Sequence, residues 1–344
     1  MRVGWEDVGA RARGLEGRLL GRRRLEELAA LPDEAGLAEA LERAGFPPMA
    51  TGVAAAGADA SRAALLDGAI RRMAAHRLAV LARWAGPRLP ALAVVFEDED
   101  RRSVRALLRG AVAGVAAEAR LAGLVPTPGL PVRALEEMAR QAGPGGVASL
   151  LVVLRHPYGP PLSREAGRAH PDLFGMEAAL AATFAERATR GARRGGRALR
   201  EYVRELIDLE NALSALGLAG RSGDRAPAEV FLPGGARLDR ARFLAVTSGD
   251  VATAAVRLGV TFRGTPYAAA LEAYPANAAT LERELLRLRI RRLRDAARLD
   301  PLGAAPVLLY ALRLRAEVLD LRRIVWSRTL GVPPAWTAAE LVGA

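Results

Sequence analysis

Four consecutive carboxylates, Glu97-Asp98-Glu99-Asp100, are the residues of this chain best suited to chemistry. Acids at helical spacing hold hard cations such as Mg²⁺ through oxygen, and all-helical enzymes of isoprenoid chemistry use two such clusters on facing helices. Here the second cluster is missing. The comparable acids, Asp208, Glu210 and Asp320, are single. The preferred reading puts Asp98, Glu99 and Asp100 in the first turn of a helix over residues 98–124, where negative charge complements the helix dipole. His76, His156 and His170 stand in no metal-ligand spacing with one another or with a nearby carboxylate pair. The chain has no cysteine, which excludes disulfides, thiol chemistry and cysteine metal sites. It has no Walker A pattern and no Gly-x-Ser-x-Gly elbow. Gly191-Ala-Arg-Arg-Gly-Gly follows no strand, so it is not read as a phosphate loop. The expectation is no catalytic residue, no cofactor and no metal.

What remains is charge. The chain carries net +12, and all 50 basic residues are arginine, as a GC-rich genome produces. A basic balance suits nucleic acid, an anionic membrane surface or an acidic protein. Arginines cluster over residues 187–200 and 283–298. As nucleic-acid patches both lack interleaved aromatics. Solvated helix faces, or docking surfaces for an acidic protein or headgroup layer, fit better. The helix over 283–299 buries a stripe of Leu286, Ile290, Leu293 and Ala297. That leaves Arg287, Arg291 and Arg294 as candidate partner-docking residues.

The elements that position these residues are helical. Ala, Leu, Arg and Glu dominate and isoleucine occurs four times, which favours an all-α fold. Helices are expected over residues 6–31, 37–44, 60–85, 132–142, 147–154, 177–192, 197–217, 283–299 and 301–331. Gly86-Pro87 and the run Pro126-Thr-Pro-Gly-Leu-Pro131 break them. The longest uncharged runs, 44–58 and 141–154, fall short of the ~18 residues that span a bilayer. No apolar leader opens the chain, so it reads as soluble and cytoplasmic.

One pattern recurs three times: Asp100-x-x-Ser103-x-Arg105, Asp208-x-x-Asn211-Ala-Leu213 and Glu317-x-x-Asp320-x-Arg322. The acids are 108 and 109 residues apart (208 − 100, 317 − 208). Near-equal spacing implies one unit used three times, with blocks at 1–125, 126–224 and 225–344. Residues i and i+3 share a helix face, so each polar pair either ties helices together within a unit or meets a partner.

With Asp300-Pro-Leu-Gly303, Leu308-Leu-Tyr310, Glu317-x-x-Asp320-Leu-Arg-Arg-Ile324 and Gly331-Val-Pro, the C-terminal part resembles the C subunit of the V/A-type rotary ATPases, whose eukaryotic relative is the d subunit. Glu205-x-x-Asp208-x-x-Asn211 is similar to the family's central motif, and Asp98-x-Asp100-x-x-Ser103-Val-Arg-Ala-Leu-Leu-Arg109 to its first. Arg11-x-Arg13-x-Leu15-x-x-Arg18-Leu-Leu20, Phe231-Leu-x-Gly-Gly and Arg240-x-Arg-Phe243 also fit, so the match runs nearly end to end. Ser103 and Asp320 stand where the family usually has Asn, and Leu213 where it often has a basic residue. The resemblance implies three similar helical domains around a pseudo-threefold axis, shaped like a funnel. It implies a non-catalytic rotor socket between the central stalk and the membrane proteolipid ring, on the cytoplasmic face of the membrane. It implies neither nucleic acid nor a homo-oligomer. The alternative is a basic all-α nucleic-acid-binding scaffold; a Mg²⁺ enzyme ranks third.

Overall fold

A computed structural model describes residues 4–48, 61–220 and 226–343, and no strand occurs among them. The boundary expected at 224/225 lies outside the described residues.

The same run of elements is laid down three times. A short helix of eight residues comes first: Arg22–Ala29, Val132–Ala139 and Arg240–Thr247. A second of ten or eleven follows: Glu34–Arg43, Pro144–Val153 and Val251–Thr261. Then comes a long helix: Arg62–Ala85, Leu173–Ala192 and Leu281–Leu299. The helix bearing the repeated motif closes each run: Leu89–Val112, Gly196–Leu218 and Ala305–Thr329. These last are called the first, second and third motif helices.

Local chemistry sets the boundaries. Asp33, Asp172, Asp239 and Asp250 each accept from the amide three residues on, at 2.6–2.8 Å, which satisfies an otherwise orphaned helix donor. The expected helix over 6–31 is two, Glu6–Glu16 and Arg22–Ala29. Gly17 and Gly21 bracket the break, and the Leu20 amide turns away to a side chain far along the chain. A second correction concerns the acids. The first motif helix starts at Leu89-Pro90, nine residues before Asp98, because Pro suits a first helical turn. Asp98, Glu99 and Asp100 therefore lie mid-helix, and Asp98 and Asp100 are buried. The dipole does not neutralise them; arginines pair with Asp98 and Glu99, and Asp100 meets Thr127 and His156, as described below.

After each second short helix the chain reverses in the left-handed region. Gly45 has φ 86°, Arg155 φ 54° and Gly264 φ 77°. Each stands two residues before a proline: Pro47, Pro157 and Pro266. Two of the three turns thus use the residue without a Cβ, and the middle one forces arginine into it. Backbones crowd there too. A Cβ on Gly159 would lie 2.6 Å from the Leu151 carbonyl carbon.

Packing interlocks the three runs. The first motif helix lies along Leu173–Ala192, the long helix of the next run. The third returns to the start and packs on Glu6–Glu16 and Arg62–Ala85. One apolar cluster extends from Trp5 to Ile207, takes in Leu232, and resumes from Leu286 to Val342. A second joins the end of the second motif helix to Phe243, Leu258, Phe262 and Tyr267. By length and composition one stretch within Arg62–Val112 is apolar enough to cross a membrane. Its Leu81, Ala85, Leu92, Val94 and Phe96 are buried in the first cluster.

Arg155→Gly should raise stability by about 1 kcal/mol, because it relieves a left-handed non-glycine residue. Denaturant melts of the two chains check this; a fall in stability would show that the Arg155 side chain holds the turn.

Candidate functional site

The repeated motifs meet the rest of the chain in one consistent way. Each acid engages the backbone just ahead of the short helix that opens the following run, and the third acid returns to the first run. Glu317 Oε1 accepts from the Leu20 amide at 2.7 Å. Asp208 accepts from the amides of Ala236, Arg237 and Leu238 at 2.9–3.1 Å. Asp100 reaches its loop through a hydroxyl. Thr127 Oγ1 donates to Asp100, and itself accepts from the Gly129 and Leu130 amides at 3.1 and 3.0 Å. Leu20, Leu130 and Leu238 all stand two residues before a helix start. A carboxylate that collects buried amides satisfies donors that would otherwise cost ~1–3 kcal/mol each.

The position three residues on differs among the copies. Asn211 grips Leu232 from both sides, donating to its carbonyl and accepting from its amide, each at 2.8 Å. Asp320 accepts from the Val342 and Gly343 amides at 2.7 Å and so binds the C-terminal tail. Ser103 is buried, and its hydroxyl has no partner among the described residues. The joint made by the first motif is therefore the least tied of the three.

The third joint is the most charged. Arg77 pairs with Glu317 and donates to the Arg18 carbonyl. Burial pushes both Glu317 and Asp320 up in pKa, against the pull of Arg77 on the first and of the Val342 and Gly343 amides on the second. Arg322 pairs with Asp67 at 2.6 Å, and Asp67 also accepts from the Gly123 amide. A Cβ on Gly123, whose φ is 80°, would displace the Arg322 guanidinium.

Between the motif helices lies an ionic cluster. Arg101 bridges Asp98 at 2.8 Å and Glu210 at 2.7 Å. Arg105 pairs with Glu210 at 2.8 Å, Arg102 with Asp98, and Arg315 of the third motif helix with Glu99 at 3.5 Å. Burial opposes ionisation of Asp98, but Arg102 and Arg101 hold it well below the usual carboxylate range. Burial likewise opposes ionisation of Glu210, but Arg101 and Arg105 pull it down to about 2. Burial pulls Arg315 down to about 10. Charges matched this closely leave no free ligand set, and among the described residues no group of three or more acids and histidines could hold a metal ion. His156 sits 3.4 Å from Asp100 inside the core, and His76 is exposed.

The arginine helix is divided. Arg287 is half-buried, donating to the carbonyls of Ala339 and Leu341 and pairing with Glu284. Arg283 pairs with Glu340, and Arg292 with Glu205. The side chain expected to be free at 287 instead clasps the C-terminal tail. Arg291 is exposed and Arg294 half-buried. Sequence reading missed Leu20, Leu130, Leu238 and Thr127. The signal was a leucine two residues ahead of each short helix.

Such an arrangement defines a class of protein: a helical scaffold whose repeated acids are spent on joining parts of one chain. Known proteins narrow the class. The model of the ATP synthase (C/AC39) subunit family matches residues 8–338, and the chain belongs to that family. It is similar to the C subunit of the V-type ATP synthase of Thermus thermophilus, 32% identical over 283 residues, covering 80% of this chain and 82% of that one. The same protein from a second Thermus thermophilus strain matches to the same extent. The C subunit of the A-type ATP synthase of Haloferax volcanii is 30% identical over 152 residues, 42% of this chain and 41% of the relative.

The ionic cluster predicts a pH dependence. Glu210 has a folded pKa of about 2 against an ordinary 4.5, so its contribution is present above pH 4.5 and lost as pH falls through 2. Glu210→Gln should be less stable than the wild type by roughly 2–3 kcal/mol at neutral pH, with the gap closing in acid. Denaturant titrations across pH measure it. A gap that does not change with pH would contradict the ion-pair account.

Proposed function

We propose that this chain is a non-catalytic rotor part of a V/A-type ATPase or ATP synthase. One side receives the end of the central stalk and the other rests on the proteolipid ring at the cytoplasmic membrane surface. Torque passes through the chain between ion flow and the ATP chemistry of other subunits. The three blocks, 1–125, 126–224 and 225–344, act as three domains around a funnel axis. The observation that carries this reading is the set of cross-block joints. Each motif acid secures the start of the next block, and the third secures the first. A body closed on itself in this way cannot shear one block past another without stripping buried amides of their acceptors, and close packing passes the strain on. Asp100, the pair Asp208/Asn211 and the pair Glu317/Asp320 serve these joints, while Arg105 and Arg322 pair with Glu210 and Asp67. Arg291 and Arg294 are left for docking.

The test is affinity purification of the tagged chain from membranes of its own cells. Stalk and proteolipid subunits should come with it in fixed ratio. Recovery of nucleic acid in their place, with binding to plain duplex DNA that falls steeply with salt, would overturn the proposal in favour of a nucleic-acid scaffold.

A further inference from the structure

Three tight turns each join a long helix to a motif helix: Gly86–Arg88, 193–195 and 300–304. All three touch the N-terminal segment. Arg88 donates to the Gly4 carbonyl and lies 2.8 Å from Asp7. Trp5 Nε1 donates to the Gly195 carbonyl at 3.2 Å. Arg13 donates to the Pro301 carbonyl, and a Cβ on Gly9 would stand 3.7 Å from the Gly303 carbonyl oxygen. These contacts gather the three turns around Glu6–Glu16 at one end of the molecule.

That end is unusual in what it shows to solvent. Leu299 is 88% exposed, the highest value among the large apolar residues described, and Leu302 is 59% and Leu89 38% exposed. Arg11, Arg193 and Arg194 are exposed beside them. The acids Asp7, Asp295 and Glu16 of this end are taken up by Arg88, Arg298 and Arg313, and Glu6 and Asp300 are its further carboxylates. The surface is left positive, with Leu299 and Leu302 projecting at one turn and Leu89 at the helix start beside another. Leucines between arginines on projecting turns match a lipid interface. The apolar side chains enter the boundary between headgroups and acyl chains, while guanidinium groups meet phosphate.

We propose that this end, made of the three turns and the N-terminal helix, binds an anionic lipid surface through Leu89, Leu299, Leu302, Arg193 and Arg194. The inference rests on the reading above, that one side of the chain faces the membrane, and adds which end it is and that lipid headgroups are a partner there. Lipid is chosen over an acidic protein because the exposed leucines are few and spread, Leu299 and Leu302 at one turn and Leu89 beside another, with arginines on the turn between helices at 193–195, whereas a protein hot spot clusters its apolar anchors in a pocket.

The experiment uses the full chain and sedimentation with vesicles of phosphatidylcholine alone or with phosphatidylglycerol. The wild type should bind only the anionic vesicles, and less as salt rises from about 0.05 to 0.5 M. The double variant Leu299→Glu/Leu302→Glu should lose roughly tenfold or more in partitioning, and Arg193→Ala/Arg194→Ala should lose binding mainly at low salt. Unchanged melting temperatures establish that both variants are folded. No binding by the wild type, equal binding to neutral vesicles, or leucine variants that bind like the wild type would each overturn the inference. So would leucine-dependent binding to a detergent-solubilised proteolipid ring with none to vesicles, which would make protein the occupant. Stalk and ring subunits that still co-purify with a chain blind to lipid would leave the rotor reading standing. Lipid binding without those subunits would defeat that reading alone.

Discussion

The structure depends on one interaction: a carboxylate on a long helix accepting the backbone amides ahead of a distant short helix. Glu317 and Asp208 do this directly, and Asp100 does it through Thr127. The interaction is strong because the acceptor is charged, which roughly doubles a hydrogen bond's worth. It is also directional. The loop must present its amides in a fixed geometry, so the acid sets the angle at which each short helix leaves. Two successive runs of helices are thereby tied by one side chain.

The chain has to join its two ends as well as its middle, and that joint is built differently. Peptide bonds connect the first run of helices to the second and the second to the third. Only side chains and packing connect the third to the first. There the acid is longer, Glu317, and it is backed by Arg77. Asp320 draws in the C-terminal tail, and Arg287 and Arg323 hold the tail's carbonyls. Buried ion pairs are poor sources of net stability, but losing one partner is costly, at ~3–5 kcal/mol. The same logic governs the Asp98, Arg101 and Glu210 cluster between the motif helices. Such groups specify one arrangement of the helices and penalise every other.

Much of this was legible in the chain. Gly86-Pro87 and Pro126 to Pro131 mark true breaks, and Asp100, Asp208 and Glu317 each lie on a long helix, as their spacing leads one to expect. The acids at 97–100 misled, because a carboxylate run reads as a helix start while Leu89-Pro90 is the actual start. Arg287 was expected on a solvated face, since nothing in a helical pattern tells that the tail folds back over it. The latching leucines escaped notice for a related reason. Their amides make the contact, and every residue but proline has an amide. What distinguishes Leu20, Leu130 and Leu238 is position, which only the paired acid reveals.

Native-state hydrogen exchange on the wild type and on Asp208→Ala tests the central claim most directly. If the acids lock the runs of helices into one body, the amides of Leu20, Leu130 and Leu238 exchange together, at the rate of global unfolding. In Asp208→Ala the Leu238 amide should then exchange at least ~10-fold faster, matching the loss of a buried acceptor. A Leu238 amide that exchanges like a surface loop in the wild type, or is unaffected by Asp208→Ala, would contradict the account.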